Sequence, residues 1–357
     1  MYPLNIPIER SGKFFTLQWH LTSKCNHNCR YCYIKKSKRY LKKFSYTLSK
    51  EECFRVMEDF KEFISYFSNI GLKGRIVFTG GDPLLRLDLF EILSYANKLN
   101  FSVGILGTSD LLDEEKCKKL KRSGVKFYQL SLDGMESTHD KIRRKGSFKK
   151  TINCVKMLKR NGIKVKIMFT LSKINKNDLT KVMDLCIKTL KVDRFDFARM
   201  VPVNKKMVKD MLNPDEYKKL LSEIFEKIQT YSSRERAKIG WKENLWKLFF
   251  EEKGMLETAF NSDKITDGCS VGINTLSIAP NGTVFPCSRL NISVGRVPKN
   301  TIYDIFFSSK MQMFREIEKL KKCSKCSLFS ICRGCPAIAY NVYGDWTMPD
   351  PQCWKRI

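Results

Sequence analysis

The sequence predicts an α/β chain in which six strand-helix repeats close part of a barrel and a cysteine-rich tail follows. Three observations carry this. From residue 14 to 200, short apolar runs alternate with amphipathic stretches, the pattern of βα units around a parallel sheet or barrel. From about 201 to 265 the pattern turns helical and aromatic-rich, with Trp241, Trp246, Phe249 and Phe250. From Cys269 onward the chain is turn-rich, short-stranded and dense in cysteine. The predicted divisions are 1–200, 201–265 and 266–357.

The strand candidates are Phe14 to Leu21, Arg75 to Thr79, Phe101 to Leu106, Lys126 to Leu132, Lys164 to Leu171 and Arg194 to Arg199. Helical patterns fall near 49–70, 86–99, 113–123, 147–161 and 177–190, with Gly124 and Gly162 placed as C-terminal stops. Six units fit better than eight. The middle segment reads as a bridge whose apolar face covers the open side of the barrel. In the tail, Asn281-Gly282 marks a hairpin. Such a tail folds poorly on packing alone, so metal is expected to organise it.

At 357 residues, 43% of them hydrophobic, the chain can bury a large core. No stretch of about 18 uncharged apolar residues occurs, and the opening MYPLNIPIER lacks an apolar signal core. The expectation is a cytoplasmic protein with no membrane partner. An excess of 66 Lys and Arg over 37 Asp and Glu gives +29. Its densest runs, Lys35 to Lys43 and Lys141 to Lys150, read as solvated faces or as a docking surface for an acidic peptide. Nucleic acid is not expected, because no known nucleic-acid-binding motif accompanies these runs.

Fourteen cysteines in a reducing compartment call for metal or for burial. Cys53, Cys117, Cys154 and Cys186 stand alone on helical patterns and read as core. Cys25, Cys29 and Cys32 lie in CNHNCRYC directly after the first strand. A 4Fe-4S cube held by three thiolates keeps one iron without a protein ligand. That iron can chelate the amino and carboxylate groups of a methionine moiety beside an electron donor. The second strand ends in Gly80-Gly81-Asp82-Pro83, where glycines let backbone approach closely and Asp82 can accept from a ligand ammonium. His20 and His27 read as packing or loop residues.

The three-cysteine loop, the following Tyr33 and the GGDP turn resemble the radical S-adenosylmethionine (SAM) superfamily. The family's turn usually carries Glu where this chain has Asp82. The resemblance implies a partial (β/α)6 TIM-like barrel and a cluster that cleaves SAM to a 5'-deoxyadenosyl radical. It implies adenine recognition by the backbone of Tyr33 and a grip on the methionine part by Gly80, Gly81 and Asp82. LSLDG at Leu130 to Gly134, with His139, Asp140 and the Arg143-Arg144 pair behind it, matches the family's fourth-strand region. Ser131 is placed near the ribose or carboxylate, as is Asp133, although Asp133-Gly134 also reads as a plain strand-end turn.

Seven more cysteines fall within 85 residues: Cys269, Cys287, Cys323, Cys326, Cys332, Cys335 and Cys353. Zinc held by the pairs Cys323/Cys326 and Cys332/Cys335 is the competitor, but it leaves Cys269, Cys287 and Cys353 unexplained. GCSVGINTLSIAPNGTVFPC and YDIFFSSKMQMFREI resemble the SPASM domain, which carries auxiliary 4Fe-4S clusters. By that resemblance Cys269, Cys287 and Cys335 ligate one auxiliary cluster, and Cys323, Cys326, Cys332 and Cys353 the other. The family often separates the last pair by three residues, whereas Arg333-Gly334 gives two.

Proteins of this resemblance mature ribosomally made peptides. The expected substrate is therefore a peptide or protein that is crosslinked or oxidised. The electron donor is expected to be a reductase or a flavodoxin or ferredoxin, and a separate protein or the basic surface is expected to bind any leader. The alternatives are a sulfatase-type maturase that forms formylglycine and a non-catalytic iron-sulfur or zinc protein that binds nucleic acid. Arg199, closing the sixth strand, is a candidate for contacting carboxylates.

Overall fold

A computed structural model describes residues 14–36, 46–256 and 265–356. The opening decapeptide and residues 37–43 of the first basic run lie outside these described residues. The frame is six strands, β1 (Phe14–Thr22), β2 (Lys73–Gly80), β3 (Ser102–Leu106), β4 (Phe127–Ser131), β5 (Lys164–Leu171) and β6 (Arg194–Arg199). They pair in parallel in chain order. β5 and β6 begin and end where their apolar runs do, and the others differ by one or two residues.

The connecting helices are α1 (Lys50–Ser65), α2 (Leu89–Lys98), α3 (Glu114–Arg122), α4 (Glu136–Ile142), α5 (Ser147–Arg160) and α6 (Leu179–Asp184), the last running on as a π turn to Thr189. Ser49 and Glu52 cap α1 reciprocally, satisfying two of the backbone N–H groups that a helix start leaves orphaned. Gly124 and Gly162 follow α3 and α5 in left-handed conformation, as their positions predicted. α4 was not expected, because its seven residues carry too few apolar side chains for a periodic signal.

The sheet has two unlike faces, set by strand alternation. Phe15, Leu17, Trp19 and Leu21 of β1, and Val165, Ile167, Phe169 and Leu171 of β5, are at most 1% exposed and join the main core beneath the helices. The opposite face carries Thr16, Gln18, Arg75, Gln129, Lys166 and Asp196 interleaved with Phe14, Val77, Phe127, Met168 and Ala198, so the barrel interior mixes polar and apolar side chains. Its polar side chains need water, a ligand or one another as partners.

The cysteine-rich tail does not stand apart. β7 (Thr275–Ile278) pairs in parallel with β1, from Thr16 opposite Thr275 to Trp19 opposite Ile278. β8 (Thr283–Phe285) and β9 (Gly295–Arg296) follow antiparallel, making one nine-stranded sheet. Gly282 turns the predicted hairpin at φ +83°, where an added Cβ would stand 2.1 Å from the Val297 carbonyl.

The free edge of β6 is covered by the middle segment. Phe195 donates to the Lys238 carbonyl at 2.9 Å, and Gly240 donates back to the Phe195 carbonyl at 2.8 Å. Trp246 meets Phe197 edge-on at 6.1 Å, so this segment also supplies apolar cover. An uncovered edge would present unpaired backbone groups to other chains.

Candidate active site and cysteine centres

The CNHNCRYC loop leaves β1 at the C-terminal end of the parallel strands, where barrels of this kind place their chemistry. Its thiols are half-buried. His27 N–H donates to Cys25 Sγ and Lys35 N–H to Cys32 Sγ, both at 3.3 Å. The Arg143 guanidinium stands 3.8 Å from Cys29 Sγ. Lys35 Nζ donates to the carbonyls of Cys25 and His27 at 2.7 and 2.6 Å, drawing the loop into a ring.

The loop is strapped to successive strand ends. His27 Nε2 lies 3.0 Å from Asp110 beyond β3, and Arg144 reaches the same carboxylate at 2.6 Å. Tyr31 donates to Ser172 beyond β5 at 2.9 Å. Arg30 pairs with Asp210 of the middle segment at 3.0 Å. His20 and His27 thus take the packing and loop roles expected of them, His20 fully buried and edge-on to Tyr33 at 5.9 Å.

The GGDP turn is zipped onto the start of this loop. Gly81 N–H donates to the Thr22 carbonyl at 2.7 Å and Asp82 N–H to the Lys24 carbonyl at 2.8 Å. A Cβ on Gly80 would sit 2.3 Å from the Thr22 carbonyl oxygen, and one on Gly81 2.0 Å from that of Lys24. The close approach that requires both glycines is therefore made to the chain's own backbone. Asp82 is fully buried and accepts from Leu84 N–H at 3.1 Å and from the Thr108 hydroxyl. Burial pushes its carboxyl pKa up despite these donors.

Ser131, at the end of β4, lines a polar cavity with His27, Thr108, His139 and Arg143. Asp133 is 1% exposed and turned inward, where it holds Arg143 at 2.5 Å and accepts Thr170 N–H at 2.7 Å. It orients the arginine beside Cys29, so its carboxylate is already engaged by the chain's own groups. The Tyr33 side chain packs with Ile34, Ala279 and Phe285 of the C-terminal hairpin. Asp110, Ser172, Asn175 and Asp210 were missed by sequence reading, since none stands in a motif. Asn175, 1% exposed, donates to the carbonyls of Asp133 and Thr170 and so ties the ends of β4 and β5 together.

In the tail, Cys323, Cys326, Cys332 and Cys353 line one cavity together with Leu245 and Leu328. Cys269, Cys287 and Cys335 gather elsewhere, around Arg289. Burial works against the Arg289 charge, but the facing Cys335 and Cys287 outweigh it and hold its pKa high. Arg333 and Gly334 explain how two residues separate neighbours that face different ways: both adopt left-handed backbone, φ +59° and +60°. Arg333 is held there by donating to the carbonyls of Asp267 at 3.0 Å and Cys269 at 2.8 Å. Among the described residues, no three His, Cys, Asp or Glu converge as ligands of one metal ion. Cys335 stands with Cys269 by Arg289, apart from the cavity that Cys323, Cys326 and Cys332 line with Cys353, a placement unlike the four-thiolate zinc pairing of Cys323/Cys326 with Cys332/Cys335.

Arg199 meets carboxylates, but those of its own chain. It donates to Glu243 at 2.6 Å and to both oxygens of Asp350 at 2.8 and 2.7 Å, all three residues being buried. Asp350 in turn accepts Cys335 N–H at 2.9 Å. The expectation of a substrate contact is corrected: the guanidinium is consumed in tying β6 to the cysteine centres.

Comparison with known proteins agrees with this geometry. Residues 19–186 match the radical SAM superfamily, and residues 269–336 match SPASM, an iron-sulfur cluster-binding domain. The chain carries a radical SAM domain followed by a SPASM domain. It is 28% identical to an AdoMet-dependent heme synthase of Methanosarcina barkeri, over 95% of this chain and 96% of that protein. It is 27% identical to the sporulation killing factor maturation protein SkfB of Bacillus subtilis, over 86% of this chain and 68% of that one. Among solved structures, native anSMEcpe with bound AdoMet superposes with a TM-score of 0.72 at 20% identity, covering 95% of this chain and 93% of that one. Radical SAM and SPASM domains bring SAM and 4Fe-4S clusters as cofactors. The donor chemistry of the first loop suits such a cluster, three half-buried thiols within one loop with N–H groups aimed at Cys25 and Cys32 Sγ. No helix among the described residues is long and apolar enough to cross a membrane.

Proposed function

We propose that this chain holds a SAM-cleaving cluster with Cys25, Cys29 and Cys32 and abstracts hydrogen from a carboxylate-bearing tetrapyrrole bound inside the barrel. When bound, cluster and SAM together supply a 5'-deoxyadenosyl radical on receipt of one electron. The chain's own residues position and shield. Gly80, Gly81 and Asp82 brace the loop and offer the methionine part a polar edge, Ser131 lines the adjoining cavity, and Arg143 sets positive charge against Cys29. Auxiliary clusters would be held by Cys269, Cys287 and Cys335, and by Cys323, Cys326, Cys332 and Cys353. They would carry away the electron left after hydrogen abstraction. A flavodoxin- or ferredoxin-type protein would deliver the first electron.

The observation that carries the substrate class is the set of cations Arg75, Lys166 and Arg194 on the inner face of the sheet, set beside full-length similarity to a heme synthase. A second reading, oxidation or crosslinking of a ribosomally made peptide, is favoured by the similarity to the SkfB maturation protein. The test is anaerobic reconstitution with dithionite and SAM, adding iron coproporphyrin III in one arm and a candidate precursor peptide in the other. Coupled formation of 5'-deoxyadenosine and a mass change in the porphyrin supports the first reading, and a mass change in the peptide supports the second. A fully iron-loaded chain that makes no 5'-deoxyadenosine sinks both.

A further inference from the structure

At the N-terminal ends of the strands, away from the cysteine loop, the inner face of the sheet gathers cations. Arg75 of β2 lies 3.8 Å over the ring of Phe14, and Lys166 of β5 lies 3.7 Å over the ring of Phe127. Lys166 stands in register with Arg194 of β6. Lys242 of the middle segment approaches from the side, and Arg75, Arg194 and Lys242 all act on Lys166. Two carboxylates face this group among the described residues: Asp196, which Arg194 already engages at 3.0 Å, and Glu243, which faces Lys242 and is held by Arg199 at 2.6 Å, while Arg289 adds a further cation against Lys242. Arg75 Nε is buried without a hydrogen-bond partner.

Such an arrangement is costly when empty. Four cations whose two facing carboxylates are already engaged by Arg194 and Arg199 repel one another, and an unmet buried N–H forfeits hydrogen-bond energy. Burial first, and then the neighbouring cations, lower the Lys166 pKa to about 8. Gly240 lets the middle segment close over Asp196, since a Cβ there would fall 1.6 Å from its oxygen. An anion placed among these groups would relieve all three costs at once.

We propose that Arg75, Lys166, Arg194 and Lys242 form a carboxylate-binding site that anchors the far end of a polycarboxylate substrate. The proposal rests on the reading that the substrate reacts inside the barrel. Five residues separate Arg75 from Gly80 on β2, which is roughly 17 Å of extended strand. A substrate anchored by a carboxylate at one end therefore presents its other end beneath the cysteine loop. The site selects molecules with an acidic group at that span and rejects neutral analogues.

The test uses the full chain with its clusters reconstituted and measures binding by absorbance. The probes are iron coproporphyrin III, its neutral tetramethyl ester, and a fluorescently labelled hexaglutamate peptide. The site predicts saturable binding of an acidic probe, about tenfold or more tighter than the neutral ester, weakened by added salt. The double variant Arg75→Gln/Lys166→Gln should weaken the acid by about tenfold and leave the ester unchanged. Iron content and the thermal midpoint check that the variant is folded, and the acid-ester comparison in the unaltered chain needs no variant. Tighter binding of the peptide than of the porphyrin keeps the site and changes the source of its carboxylate. Equal binding of acid and ester, or no binding of any acidic probe, overturns the proposal. Absence of 5'-deoxyadenosine in a separate turnover assay would count against the radical reading alone, because the titration does not depend on turnover.

Discussion

The two cysteine regions are built on different principles. The first draws three thiols from one loop of eight residues, Cys25 to Cys32, and fastens that loop to the ends of β3 and β5 through Asp110 and Ser172. The second draws seven thiols from segments spread between Cys269 and Cys353, and a buried cation, Arg199, grips Glu243 and the Asp350 that accepts the Cys335 N–H. A local loop keeps its donors together by chain connectivity, so its surroundings only need to orient it. A dispersed set has no such help, and its geometry depends on long-range charge pairs and on metal.

That contrast sets the order of expected effects. Cys29→Ala should abolish 5'-deoxyadenosine formation, at least about a hundredfold below the unaltered chain. Iron should fall by about four of about twelve atoms per chain, since the C-terminal groups do not depend on this loop. Loss of all iron would show the regions to be coupled. Arg199→Met leaves Glu243 and Asp350 buried without their partner, and should cost about 3–5 kcal/mol. Here the expected readout is a lower thermal midpoint with iron lost from the tail, while the SAM-dependent paramagnetic signal of the first cluster persists.

Gly81→Ala is a milder probe of the loop. Its Cβ would stand 2.0 Å from the Lys24 carbonyl oxygen, so backbone must shift, at about 1–3 kcal/mol. SAM cleavage should drop about tenfold with iron content unchanged, and an unaltered rate would mean that the turn does not brace the loop. The smallest effect concerns the barrel interior. Lys166, facing Arg75, Arg194, Lys242 and Asp196, has its pKa lowered to about 8 from 10.5, by burial first and by the cations second. Between those values the unfolded chain binds the proton that the folded chain has lost, so stability should rise with pH from about 8 to 10.5. The rise should be on the order of 1 kcal/mol after solvent screening, and Lys166→Met should remove it from a pH series of denaturant melts.

Much of this was legible in residue order. β5 and β6 could be bounded to the residue because their apolar runs stop sharply, and Gly124 and Gly162 marked helix ends through their left-handed backbone. Cys53, Cys117, Cys154 and Cys186 are buried in the core as their isolation on helical patterns implied. α4 was not legible, because a seven-residue polar helix without a side-chain N-cap has neither a periodic signature nor a start signal. Nor was the role of Arg199, whose charge looked available until Asp350, 151 residues away, was found against it.

The linear chain determined the six βα repeats, the three-thiol loop and the glycine turn, since each rests on neighbours within a few residues, where periodicity and backbone conformation act. Only the folded molecule decided that β7 extends the same sheet, that Arg333 and Gly334 turn Cys335 away from Cys332, and that Arg75, Lys166, Arg194 and Lys242 face one another. Those outcomes depend on pairing and charge between segments far apart in the chain, and such energies arise only once packing brings the segments together.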